Sequence, residues 1–127
     1  MSFQPAGRDA LLNAFSKALF SRDMDALYAA VTPGFVWSYH DGLTVTKALI
    51  GRIAIVDHLI EQEALFSRQR FHEVVYHHLP GVTFMTCRIS ETMRSNGEQR
   101  EQRGIECYTI QAGLIATKDV YRKPIQI

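Results

Sequence analysis

Partway along the chain the spacing of apolar residues changes from helical to alternating, and this change limits the fold more than any motif does. From Asp9 to Phe20, Leu11, Leu12, Phe15, Ala18 and Leu19 recur at helical intervals and predict a helix with one buried face. Asp23 can cap a second, shorter helix carrying Met24, Leu27, Tyr28 and Val31, and Pro33-Gly34 is expected to stop it. The aromatic and β-branched run Phe35–His40 reads as a strand closed by Asp41-Gly42. Residues 43–50 fit either a loop or a short strand. Gly51 opens a third helix, with Ile53, Val56, Leu59, Ile60 and Leu65 expected on its apolar side.

Beyond that helix the pattern alternates. Strands are predicted over Arg70–His78, Val82–Arg94, Gln99–Ile110 and Leu114–Arg122. Leu79-Pro80-Gly81, Ser95-Asn96-Gly97 and Gln111-Ala112-Gly113 supply the turns between them. Connections this short favour antiparallel neighbours. The expectation is one α+β domain over residues 1–127, a curved sheet wrapped around its helices. Three N-terminal helices pack in a curved, mostly antiparallel sheet, and residues 1–7 and 124–127 are loose tails.

Charge narrows the choice of partners. Fourteen basic residues against 13 acidic ones leave a net charge of +1. That balance gives no reason to expect nucleic acid or a membrane surface as partner. The dense stretch Arg94–Arg103 is interrupted by Glu98 and Glu101 and carries no interleaved aromatic residue, so it reads as a solvated strand face or turn. No apolar run approaches the ~20 residues of a membrane helix. With no apparent leader, a cytoplasmic location is expected. Cys87 and Cys107 read as two buried thiols. None of the histidines shows metal-ligand spacing, and His58, beside Asp57, is expected at the surface of the third helix. No metal and no cofactor is expected.

The element order resembles the SnoaL-like, nuclear transport factor 2-like families. So do Phe35-Val36-Trp37, Gly51-Arg52 before a helix, and Gly113-Leu114-Ile115 before a last strand. The resemblance spans about Arg8 to Arg122 and implies a cystatin-like cone with a pocket for a small, mostly apolar molecule. Ketosteroid isomerase is similar from Phe15 to His40. By that likeness Phe15 stands where an oxyanion-stabilising tyrosine would be, and Tyr39 where the proton-abstracting aspartate would be. Glu106 falls at the position of a protonated carboxylic acid. Limonene epoxide hydrolase is similar at Arg88-Ile89-Ser90, where it has Arg-x-Asp, and at Lys118-Asp119-Val120-Tyr121 on the last strand. Matching that second segment needs a one-residue deletion after Gly113; without the deletion Val120 takes the place of Asp119. Strand alternation makes this single residue decide which of the two faces the pocket.

The expected catalytic set is Asp119, Arg88 and Glu106, and the expected ligand contacts are Phe15, Trp37, Tyr39 and Tyr108. Trp37 and Tyr39 share strand parity and read either as core aromatics or as ligand contacts. Arg88 with Glu106 forms either a pocket pair able to anchor a carbonyl or carboxylate, or an ion pair on the outer face. Asp119 is a proton carrier if it points inward and a surface group if it stands with Lys118, Arg122 and Lys123. Two functions follow: an acid–base isomerase, cyclase, dehydratase or hydrolase, or a non-catalytic binding or dimerisation module. The expected ligand is a small apolar or carbonyl-bearing molecule. Apolar residues on both strand faces point to a homodimer.

Overall fold

The structure, a computed structural model, describes residues 4–41 and 44–124. Among these residues are three helices, α1 (Pro5–Ser21), α2 (Met24–Ala29) and α3 (Arg52–Leu65). The strands are β1 (Val31–Asp41), β2 (Thr44–Ile50), β3 (Phe66–Leu79), β4 (Val82–Met93), β5 (Gln99–Gln111) and β6 (Leu114–Pro124). They form one curved sheet in the order β2-β1-β6-β5-β4-β3. Every neighbouring pair is antiparallel except β1 with β6. This is the expected α+β cone, its helices held in a curved, mostly antiparallel sheet.

Several boundaries move from the sequence reading, each for a local reason. The chain is already helical at Pro5, whose missing N–H and fixed φ suit the first position of a helix, so residues 5–7 are not a tail. Asp23 does cap α2, its carboxylate accepting from Ala26 N–H at 3.1 Å, a contact that stabilises the helix by about 1 kcal/mol. Val31 begins β1 instead of ending α2. Pro33-Gly34 then lies inside the strand, where the register against β6 shifts between Val31 and Val36. Proline has no N–H to give a ladder, and an irregular stretch is where a strand tolerates it. Residues 44–50 form a strand, and Gly42 and Leu43 lie outside the described residues. Phe66, not Arg70, starts β3, and Pro124 ends β6 instead of opening a tail. The remaining expected tail residues, 1–3 and 125–127, lie outside the described residues.

Strand alternation gives the sheet two different faces. On the concave face Trp37, Met85, Cys87, Ile89, Tyr108 and Val120 are all buried. Phe84, Ile105 and Tyr121, of the opposite parity, stay 36–49% exposed on the convex face. Against the concave face α1 lays Leu12, Phe15 and Ala18. α3 buries Ile55, His58 and Leu59, spaced i, i+3, i+4, while Ile53 and Ile60 are 79% and 58% exposed. The helix is therefore rotated from the expected face, and His58 lies inside. Phe15 meets Phe35 and Tyr108 edge-on, with ring centroids 6.0 Å apart in both pairs. Burying a side chain of this size stabilises the fold by about 1.5–3 kcal/mol. No helix among the described residues is long and apolar enough to cross a membrane.

Candidate functional site

Helices α1 and α3 do not fill the cone completely. A cavity of about 780 Å³ remains between them and the concave face. Sheet register builds its wall in rows. Trp37, Lys118 and Tyr108 are cross-strand neighbours in one row, and Tyr39, Val120, Glu106, Met85 and Tyr76 form the next. Phe15 and His58 come from the helices, and the exposed Phe20 ring and the Arg22–Glu63 ion pair stand at an open end.

Two polar clusters interrupt this aromatic lining. The first centres on Glu106, which is 2% exposed. Its carboxylate accepts a hydrogen bond from the Tyr108 hydroxyl and stands 3.6 Å from the Lys118 ammonium. Lys118, 4% exposed, also lies over the Trp37 ring at 3.9 Å and the Phe15 ring at 5.4 Å. A buried charge needs such partners, because an unpaired one costs several kcal/mol. Burial pulls the Lys118 ammonium below its ordinary value, with Glu106 opposing. Burial and the Glu106 charge together hold Tyr108 well above the ordinary phenol range, so its proton stays on.

The second cluster is a relay. Lys47 Nζ lies 3.1 Å from His58 Nδ1 and 2.9 Å from Glu61, and His58 Nε2 lies 2.9 Å from the Tyr39 hydroxyl. An ammonium donates only, so Nδ1 must accept, and the imidazole proton sits on Nε2. Nε2–H then donates to the Tyr39 oxygen. The tyrosine's own proton is left without an acceptor among the described side chains, on a residue that lines the cavity. Burial, then the Lys47 and Lys118 charges, push His58 down to about 4, which keeps the ring neutral near pH 7. Burial pushes Tyr39 up to about 12. Tyr39 thus keeps its proton and can donate it to a molecule in the cavity that it lines.

At a second, smaller pocket, buried Glu91 accepts from Gln69 at 2.6 Å, with Arg100 at 3.7 Å and Arg122 at 3.9 Å. The Arg122 guanidinium covers the Tyr39 and Phe71 rings at 5.7 and 5.5 Å. Among the described residues no group of three or more His, Cys, Asp and Glu is placed to hold a metal ion.

The predicted residues divide between the two faces. Phe15, Trp37, Tyr39, Tyr108 and Glu106 border the cavity. Asp119 does not. It pairs across the sheet with Ser38 and Cys107 and contacts His40 at 3.1 Å on the convex face, while Lys118 and Val120 point inward. The ungapped reading of β6 is therefore the correct one. Arg88 is also on the convex face, 3.7 Å from Glu73 and 3.9 Å from Glu101, so it does not pair with Glu106. Ser90 shares that face, bound to His72 at 2.9 Å and Glu101 at 2.6 Å. The sequence reading missed Lys118, His58 and Arg122. Only the i, i+3, i+4 spacing of Ile55, His58 and Leu59 could have signalled one of them.

No protein-family model matches the sequence, and no curated protein does. Solved structures match it by shape. A nuclear transport factor 2-like protein from Burkholderia xenovorans superposes with a TM-score of 0.82 at 11% identity, over 96% of this chain and 93% of that one. A candidate polyketide cyclase from Xanthomonas campestris gives 0.75 at 16% identity, over 91% of this chain and 90% of that one. A protein of ketosteroid isomerase-like fold from Catenulispora acidiphila, solved in complex with trimethylamine, gives 0.71 at 10% identity, over 87% and 83%. At such identities the likeness speaks for the architecture alone. The chain has the nuclear transport factor 2-like fold shared by SnoaL-like proteins.

Proposed function

We propose that the protein binds a small, mostly apolar molecule bearing a carbonyl or hydroxyl oxygen, held in the cone between α1, α3 and the sheet. The observation that carries this reading is the Lys47–His58–Tyr39 chain of hydrogen bonds, which leaves the Tyr39 hydroxyl proton available beside the aromatic rings of the wall. A cavity of about 780 Å³ has the size of a small-molecule site, and a few fixed polar groups within apolar walls are the usual composition of one. Phe15, Trp37, Tyr39 and Tyr108 supply flat surfaces for a ring. Fold relatives named as a candidate polyketide cyclase or solved with a small amine support the same reading. Calorimetric titration with naphthol tests it. We expect saturable binding that weakens about three- to tenfold in Tyr39→Phe, the effect of losing one hydrogen bond.

Acid–base turnover is the second reading, and Glu106 favours it as a carboxylate on the cavity wall. It ranks second because Lys118 and Tyr108 already engage that carboxylate, and the other two groups of the expected set, Asp119 and Arg88, lie outside. Hydrogen–deuterium exchange next to the carbonyl of tetralone, followed by NMR, distinguishes the readings. Turnover requires exchange that Glu106→Gln abolishes.

Homodimerisation through the convex face belongs to the same proposal. Phe84, Ile105 and Tyr121 leave apolar area exposed there. Light scattering at micromolar concentration should give a dimer, and Ile105→Asp a monomer; a monomeric parent protein removes this part of the proposal.

A further inference from the structure

Lys118 is a primary amine on the cavity wall that hydrogen-bonding to a ligand does not require. Its Nζ lies 3.9 Å above the Trp37 ring, and its distance of 3.6 Å from Glu106 is longer than a direct N–H···O hydrogen bond. The side chain is almost fully buried yet borders the cavity. The three other lysines of the chain differ: Lys17 and Lys123 are exposed, and Lys47 is bound to Glu61 and His58.

We propose that Lys118 captures an aldehyde or ketone group of the bound molecule as an imine. This deepens the binding reading and rests on it, naming the ligand class as carbonyl compounds. The ammonium passes one proton to the Glu106 carboxylate. The freed nitrogen pair attacks the carbonyl carbon, a C–N bond forms, and the π pair moves to oxygen, which takes the proton that nitrogen gives up. Glu106 then returns its proton to the carbinolamine hydroxyl, the C–O bond breaks, and water leaves. One ammonium and one carbonyl give one protonated imine and one water, Glu106 ends as the carboxylate it began as, and nothing is oxidised or reduced. Burial of the amine favours the neutral, nucleophilic form at the moment of attack, and the Tyr108 hydroxyl fixes the carboxylate that carries the proton.

Incubation of the full chain with naphthaldehyde and cyanoborohydride near neutral pH tests the proposal. Reduction converts any imine to a stable secondary amine, and peptide mapping by mass spectrometry locates it. We expect Lys118 to label at least about tenfold faster than Lys17 and Lys123, because the cavity it lines holds the aldehyde beside its amine. In Lys118→Arg that site should disappear while Lys17 and Lys123 label as before. Capture is refuted if Lys118 labels no faster than the surface lysines while naphthaldehyde still quenches Trp37 fluorescence, and the binding reading then survives alone. Absence of both label and quenching overturns the two together.

Discussion

Lys118 and Glu106 stand 3.6 Å apart inside the cone, the first 4% and the second 2% exposed. They come from neighbouring strands, two residues out of direct register and so on the same face, since Glu106 opposes Val120 and Lys118 opposes Tyr108. Removing one partner leaves the other as an uncompensated buried charge, which costs about 3–5 kcal/mol. We expect Lys118→Met and Glu106→Gln each to lower the unfolding free energy by about that much in urea denaturation. The double variant should lose less than the sum of the two by about 1 kcal/mol or more. Strict additivity would show that the two groups do not interact.

His58 gives the fold a defined acid sensitivity. Its ring is held at about 4 in the folded protein against 6.5 for the free side chain. Above pH 6.5 neither state holds the extra proton, and the fold keeps its full stability. As pH falls from 6.5 toward 4, the unfolded chain takes a proton that the folded chain refuses. Stability therefore drops by up to about 3 kcal/mol across that window. Chemical denaturation of wild type and His58→Gln at a series of pH values isolates this part. The difference between the two should change between pH 6.5 and 4, and a constant difference contradicts the assignment.

Asp119 and Arg88 are separated from the cavity by the sheet. Asp119→Asn and Arg88→Gln should leave naphthol affinity within about twofold of the parent, because neither charge touches the ligand space. A loss of tenfold or more in either variant would place that side chain in the site after all.

Gly104 lies in the row between Cys87 and Arg122, and a Cβ there would meet Cys87 Sγ at 2.9 Å and Ile89 Cδ1 at 3.0 Å. Gly104→Ala should destabilise the protein by about 1–3 kcal/mol through overpacking, readable as a lower urea midpoint with an unchanged slope. An unchanged midpoint would mean that this part of the core yields freely.

The architecture was legible because its signals are local. Leu12, Phe15 and Ala18 repeat at helical spacing, and Asn96-Gly97 and Gly113 mark turns where the glycines take positive φ. The parallel pairing of β1 with β6 is not local, and nothing in either segment announces it. The site was harder to read because its chemistry inverts the usual sorting of polar and apolar residues. Lys118-Asp119-Val120 puts a charge on each face of β6, so composition alone cannot set the parity. A lysine inside the cone makes sense only once Glu106 and the Trp37 ring are beside it. The same holds for α3. Ile53 and Ile60 look like its buried side, yet the polar His58 takes the inward position, where Lys47 and Tyr39 satisfy both of its nitrogens.

Trp37 is the chain's single tryptophan and lines the cavity, so its fluorescence reports occupancy directly. The first measurement to make is a titration of that emission with naphthol in wild type and in Tyr39→Phe. A ligand-binding cone predicts saturable quenching in both, with the variant about three- to tenfold weaker. Emission that changes only linearly with naphthol, and identically in the two proteins, would contradict a binding site at Tyr39.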